Sequence, residues 1–134
     1  MTSSRVVVSL PTADRRTSFE FYREVLGVEA VGGEMGSDGI PEPLQFDLND
    51  GMRLMFIPRG GFGWVTGDHK VAQRGHSECL LSFAGDPDEV IARARAADAE
   101  IVFEPGDHGW GYVSAFADPD GHVWMVTANP VPHG

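Results

Sequence analysis

The chain has 134 residues, with 10 Lys and Arg against 20 Asp and Glu and a formal charge of −10 at pH 7. That length suits one domain with its own core, and that charge excludes phosphate backbones and anionic bilayers as partners, so neither nucleic acid nor a membrane is expected. No apolar run approaches the roughly 20 residues of a spanning helix, and Met1 to Pro11 lacks the long apolar core of a signal peptide, so a cytoplasmic protein is expected.

Arg5 to Leu10 is β-branched and apolar, is bounded by Pro11, and reads as a strand. A helix follows in TADRRTSFEFYREVLG, with Thr12 or Asp14 as its cap, a stripe of Phe19, Tyr22 and Leu26, and Gly27 at the left-handed C′ position. VEAV, EPLQFDL and MRLMFI then give three short strands joined by Gly-rich, acidic turns, so the order is βαβββ. A Gly-rich connection over 61–76 carries Phe62 and Trp64. The order then repeats. SECLLSF is a strand, and DPDEVIARARAADAE is a helix capped by Asp86, with Pro87 at N1, Glu89 at N3 and a stripe of Val90, Ala94 and Ala97. Asp98 stands where a helix-ending glycine is usual and accepts the left-handed conformation at modest cost. EIVF, YVSAF and HVWMVT complete the second module, about 77–128, as the first fills about 1–60.

The two hairpins align without a gap, Phe46 on Phe116, Gly51 on Gly121 and Met55 on Met125, at a constant offset of 70. Matching element order and an ungapped hairpin mark an internal duplication. Each four-stranded module has one helix, which covers one face of its sheet. The other face must line something else.

With FYREVLGVEA after the first strand and FADPDGHVWMVT at the end, nearly the whole chain resembles the vicinal oxygen chelate superfamily of glyoxalase I, extradiol dioxygenases and bleomycin-resistance proteins. The pattern of PEPLQF, GFGW and WGY before FADPDGHVW is similar to a bacterial subgroup of it. The resemblance implies an α+β fold of paired βαβββ modules, curled mixed sheets around a cleft, commonly completed by dimerisation. A homodimer is therefore expected. It also implies that metal-using members place His or Gln, Glu, His and Glu on the first and last strands of each module. Counting from FY, LMF, LLSF and the final hairpin puts those positions at Val7, Met55, Leu80 and Met125. None offers a carboxylate or imidazole, and divalent ions need oxygen or nitrogen donors, so neither metal nor cofactor is expected. A slip of one residue at the third position would make Cys79 a ligand. Alternation puts Glu78, Leu80 and Ser82 on one face and Cys79, Leu81 and Phe83 on the helix side, so Cys79 is read as a buried small hydrophobe.

By the same alternation Arg5, Val7 and Ser9, Arg53, Met55 and Ile57, Glu78, Leu80 and Ser82, and Val123, Met125 and Thr127 line the cleft, while Leu54 and Trp124 face the helices. Apolar walls with a few hydroxyls describe a binding pocket, and methionine shapes itself around irregular ligands. The alternative is that both methionines simply close the cleft as extra core. Phe62, Trp64, Trp110 and Tyr112 lie near glycines, where they either offer a stacking platform or only accompany the turn. The expected ligand residues are thus Val7, Ser9, Met55, Ile57, Phe62, Trp64, Leu80, Ser82, Trp110, Tyr112 and Met125. The expected function is metal-free sequestration of a planar or amphiphilic small molecule such as an antibiotic, cationic or neutral rather than anionic. The competing enzyme is a metal-dependent lyase, isomerase or dioxygenase with other ligands, or an acid/base catalyst using His108, Glu78 or Tyr112. A closed, ligandless dimer is the structural alternative. His69, His76, His122 and His133 read as surface or turn residues.

Overall fold

The protein is described by a computed structural model over residues 6–67 and 69–128, so the expectations for Arg5 and His133 fall outside the described residues. The chain divides into two compact units, Met1–Val71 and Ala72–Gly134.

The first unit runs β1 (Val6–Thr12), α1 (Arg15–Val25), β2 (Glu34–Met35), β3 (Pro41–Glu42), β4 (Leu44–Asn49), β5 (Met52–Pro58) and α2 (Arg59–Val65). β5 lies between a parallel β1 and an antiparallel β4, and β2 and β3 form a separate ribbon. VEAV is not a full strand. It contributes one bridge, Ala30 to Phe46, and one bond from Val31 N–H to the Gln45 carbonyl. Gly32 and Gly33 follow at φ +62° and +70°, a left-handed turn that ends the pairing. Asp14 caps α1 by accepting from the Arg16 N–H and the Thr17 hydroxyl, and Gly27 takes φ +67°. The buried stripe of α1 is Ser18, Phe21, Tyr22 and Val25 rather than Phe19, Tyr22 and Leu26. Two stripes fit this helix. The one that buries Phe21 and Val25 wins because Ser18, at its end, bonds the buried Thr12 hydroxyl at 2.7 Å, while Phe19 stays half-buried beneath the Arg23 guanidinium. Tyr22 packs on Phe56, with ring centroids 4.8 Å apart, and on Phe46, which places Leu54, Phe56 and Phe46 on the helix side of the sheet.

The second unit runs β6 (Leu80–Ala84), α3 (Pro87–Ala96), β7 (Glu100–Asp107), β8 (Tyr112–Ala117) and β9 (Val123–Thr127), and its sheet order is β6-β9-β8-β7. Asp86 caps α3 through the N–H groups of Asp88 and Glu89. Asp98 ends it at φ +60°, with Asp98 N–H bonding the Arg95 carbonyl and Ala99 N–H the Ala94 carbonyl, a Schellman closure on a non-glycine residue. The buried stripe contains Ile91 as well as Val90 and Ala94, and Ala97 is only partly covered. Trp124, Val126 and Phe116 form the helix side, and Ser114 Oγ–H bonds the Pro87 carbonyl at 3.0 Å.

The duplication is visible in the pairing. Phe46 faces Leu54 and Phe116 faces Trp124, both at the offset of 70, so the two hairpins share one register. Both units also pair the strand before the helix in parallel with the last strand of the hairpin. Among the described residues, no helix is long and apolar enough to cross a membrane.

Candidate functional site

In the first unit Ser9 is the cross-strand partner of Met55, and Met55 of Gln45; one row along, Val7 pairs with Arg53 and Arg53 with Asp47, and Pro11 pairs with Ile57. Cross-strand partners share a face, so Val7, Ser9, Met55 and Ile57 lie together on the face turned away from α1. In the second unit Ser82 pairs with Met125, and Met125 with Ala115; Leu80 pairs with Val123 and Val123 with Ala117. Leu80, Ser82 and Met125 therefore share the face turned away from Trp124 and α3. Each methionine sits beside a serine of the parallel outer strand, in the same place in its own unit. Val7 is 45% exposed and Leu80 56%, while Met55 and Met125 are half-buried.

The first of these faces also carries a polar group, in which Arg53, expected on this face, is joined by Gln45 and Asp47. Arg53 donates from Nε to Asp47 Oδ1 at 2.7 Å, from one terminal nitrogen to Asp47 Oδ2 at 3.3 Å, and from the other to Gln45 Oε1 at 3.3 Å. The bond to Asp47 raises the Arg53 pKa above its already high ordinary value, against a smaller opposing effect of burial. The signal was present: in LQFDL, Gln45 and Asp47 have the parity opposite to Leu44 and Phe46.

The aromatic candidates are distributed differently from the expectation. Phe62 and Trp64 are in α2 rather than a loop, because Gly60, Gly61 and Gly63 all keep negative, helical φ; Trp64 is 83% exposed. The virtual Cβ of Gly61 would lie 3.5 Å from Ile57, so α2 sits by the end of the Met55 face. Trp110 does lie in the β7–β8 connection, stacked on His108 with centroids 5.9 Å apart, and His108 in turn contacts Phe103 at 5.6 Å. Phe103, on the exposed side of β7, was not singled out from the sequence. Tyr112 is drawn instead to α3, donating its hydroxyl proton to the Asp88 carboxylate at 2.9 and 3.0 Å, which raises its pKa. Cys79 is exposed, contrary to the buried reading, because β6 begins only at Leu80 and the alternation that hid it does not extend to it.

The side chains at Val7, Met55, Leu80 and Met125 do not fit a divalent ion: two thioethers and two alkyl groups supply no hard donor, and the serines beside them add only neutral hydroxyls. Among the described residues, Asp118, Asp120 and His122 are three groups whose potential ligand atoms lie within 4.8 Å of one another. They stand in the β8–β9 turn, where Asp118 Oδ1 already accepts from the Asp120 and His122 N–H groups at 2.9 and 2.8 Å.

Duplicated units of strand, helix and hairpin, each with one sheet face left clear of its helix, define the class. A family model described as Glyoxalase/Bleomycin resistance protein/Dioxygenase superfamily matches residues 5–126, and the chain belongs to that superfamily. No curated protein matches the chain at a significant level. Among solved structures, a glyoxalase-related enzyme from Fulvimarina pelagi has a TM-score of 0.80 at 24% identity, over 99% of this chain and 94% of its own. A hypothetical protein from S. aureus has a TM-score of 0.78 at 19% identity, over 96% and 94%. TnmS3, an antibiotic binding protein from Streptomyces sp. CB03234, has a TM-score of 0.65 at 24% identity, over 97% and 98%. At these identities the likeness is one of fold.

Proposed function

We propose that this is a metal-free small-molecule binding protein that sequesters a planar or amphiphilic organic compound, such as an antibiotic. One observation carries the reading: Met55 and Met125 occupy equivalent places on the sheet faces their helices leave clear, beside Ser9 and Ser82, where neither can hold a dication. On each face taken by itself, a deformable thioether, an aliphatic neighbour (Val7 and Ile57 in the first unit, Leu80 in the second) and a serine hydroxyl are the surroundings an organic guest needs. Phe62 and Trp64 on α2 in the first unit, and Trp110 stacked on His108 in the second, supply aromatic surface for stacking. His108 is packed among aromatic rings, which suits a platform better than a proton shuttle. Antibiotic binding by TnmS3 supports the reading by analogy of fold alone. The protein works in the cytoplasm as a homodimer, the outer strand β1 with its exposed Val6 and Val7 providing apolar surface for a second copy.

Titration of the folded protein with antibiotics and metabolites, followed by tryptophan fluorescence, tests this. Saturable quenching or a blue shift with a planar or amphiphilic compound is expected. No response to any compound counts against it, as does one equivalent of Ni, Zn, Fe or Mn per purified chain.

A further inference from the structure

The internal repeat supplies a control for the polar group on the Met55 face. At the offset of 70, Gln45, Asp47 and Arg53 correspond to Ala115, Ala117 and Val123, and the two hairpins hold these residues in identical register. The hairpin therefore forms without the three polar side chains. Their presence in one unit calls for another cause than folding.

Arg53 has five N–H hydrogens, and three are committed to Asp47 and Gln45. Asp47 grips the guanidinium with both oxygens, fixing its plane and cancelling its charge. Gln45, accepting through Oε1, is thereby oriented with its NH₂ directed elsewhere. Among the described residues, Ser9 Oγ has no hydrogen-bond partner. Gln45 is buried, and its Nε2 is directed at Gly32, 3.3 Å from where a Cβ there would stand, so it braces the guanidinium, while two guanidinium hydrogens and the Ser9 hydroxyl remain on the Met55 face. They are donors, and the ion pair leaves little net charge to attract an anion. The complement is a neutral acceptor oxygen on an otherwise apolar body.

Resting on the function proposed above, we propose that Arg53, braced by Asp47 and Gln45, and Ser9 form a donor array that selects guests bearing a neutral carbonyl or carboxamide, held over Met55. The face of the second unit, with Ala115 and Val123 at the equivalent places, carries no such array.

The test uses full-length protein labelled at its methionine methyl groups with carbon-13 and follows Met55 during titration with 2-naphthamide and with 2-ethylnaphthalene, which share a ring system and differ in the acceptor. The wild type is expected to bind the amide about tenfold more tightly, the discrimination one charge-assisted hydrogen bond provides. The triple substitution Gln45→Ala, Asp47→Ala, Arg53→Val should retain binding and bring the two affinities within about twofold of each other. Arg53→Gln alone, which keeps a polar side chain, serves should the triple variant not fold, and should lose most of the preference. Equal affinities in the wild type, or an undiminished preference in the variants, overturn the donor array while leaving the binding function standing. A Met55 resonance unmoved by either compound overturns both.

Discussion

Asp118 is the residue that makes the closing hairpin recognisable in the sequence. It is 1% exposed, and one of its oxygens accepts the backbone N–H groups of Asp120 and His122 while the chain reverses through Gly121 at φ +91°. The motif DPDGH is thus the wiring of a turn, and its recognisability reports on fold rather than chemistry. Asp118→Ala leaves two N–H groups without this acceptor in a protected turn, at a cost of about 1–3 kcal/mol for each that water cannot reach, and thermal denaturation should show a clearly lowered Tm. A Tm within a degree of the wild type would mean that the turn does not depend on this carboxylate. The first hairpin does the same work more loosely, with Asn49 accepting from Gly51 N–H at 2.8 Å on an exposed turn.

Most of the elements were legible because strands alternate and helices carry caps: Asp14, Asp86, Gly27 and Asp98 all take the roles their chemistry predicts. What failed was decided by contacts the sequence does not display. The stripe of α1 depended on Thr12 receiving Ser18, and VEAV lost its strand to the glycines beyond it. At the site, parity groups Val7 with Met55 and Leu80 with Met125, as the pairing does, whereas in β4 the alternating apolar Leu44, Phe46 and Leu48 carry the stronger signal and mask Gln45 and Asp47 between them. Helix α2 was missed for a plain reason: RGGFGWV has a low helix propensity, each interior glycine costing about 0.5–1 kcal/mol relative to alanine. None of its residues is buried. A Cβ at Gly60 would meet nothing within 4 Å, and at Gly61 and Gly63 the nearest atoms are at 3.5 and 3.4 Å. Gly60→Ala, Gly61→Ala, Gly63→Ala together should therefore stabilise the helix, and hydrogen exchange should slow across residues 59–65 by tenfold or more. Unchanged exchange would mean that something other than glycine sets the stability of this segment.

For the whole molecule, duplication explains both the economy of the fold and the asymmetry of its faces. One hairpin register was used twice, and on it one unit carries Gln45, Asp47 and Arg53 where the other carries Ala115, Ala117 and Val123. Net charge of −10 sets the background against which any ligand must bind, and it disfavours anions everywhere outside a local cation. The superfamily name spans metal enzymes and binding proteins, so membership leaves the choice to the residues on these two faces. Val7, Met55, Leu80 and Met125 offer a dication no hard donor. The most direct measurement is the carbon-13 methyl spectrum of Met55 and Met125, recorded with one equivalent of Mn²⁺ and, separately, with 2-naphthamide. Both resonances should survive the paramagnetic ion unbroadened, and the Met55 resonance should shift under the ring current of the aromatic compound. Loss of both signals to stoichiometric Mn²⁺, with no shift from the aromatic compound, would contradict the account.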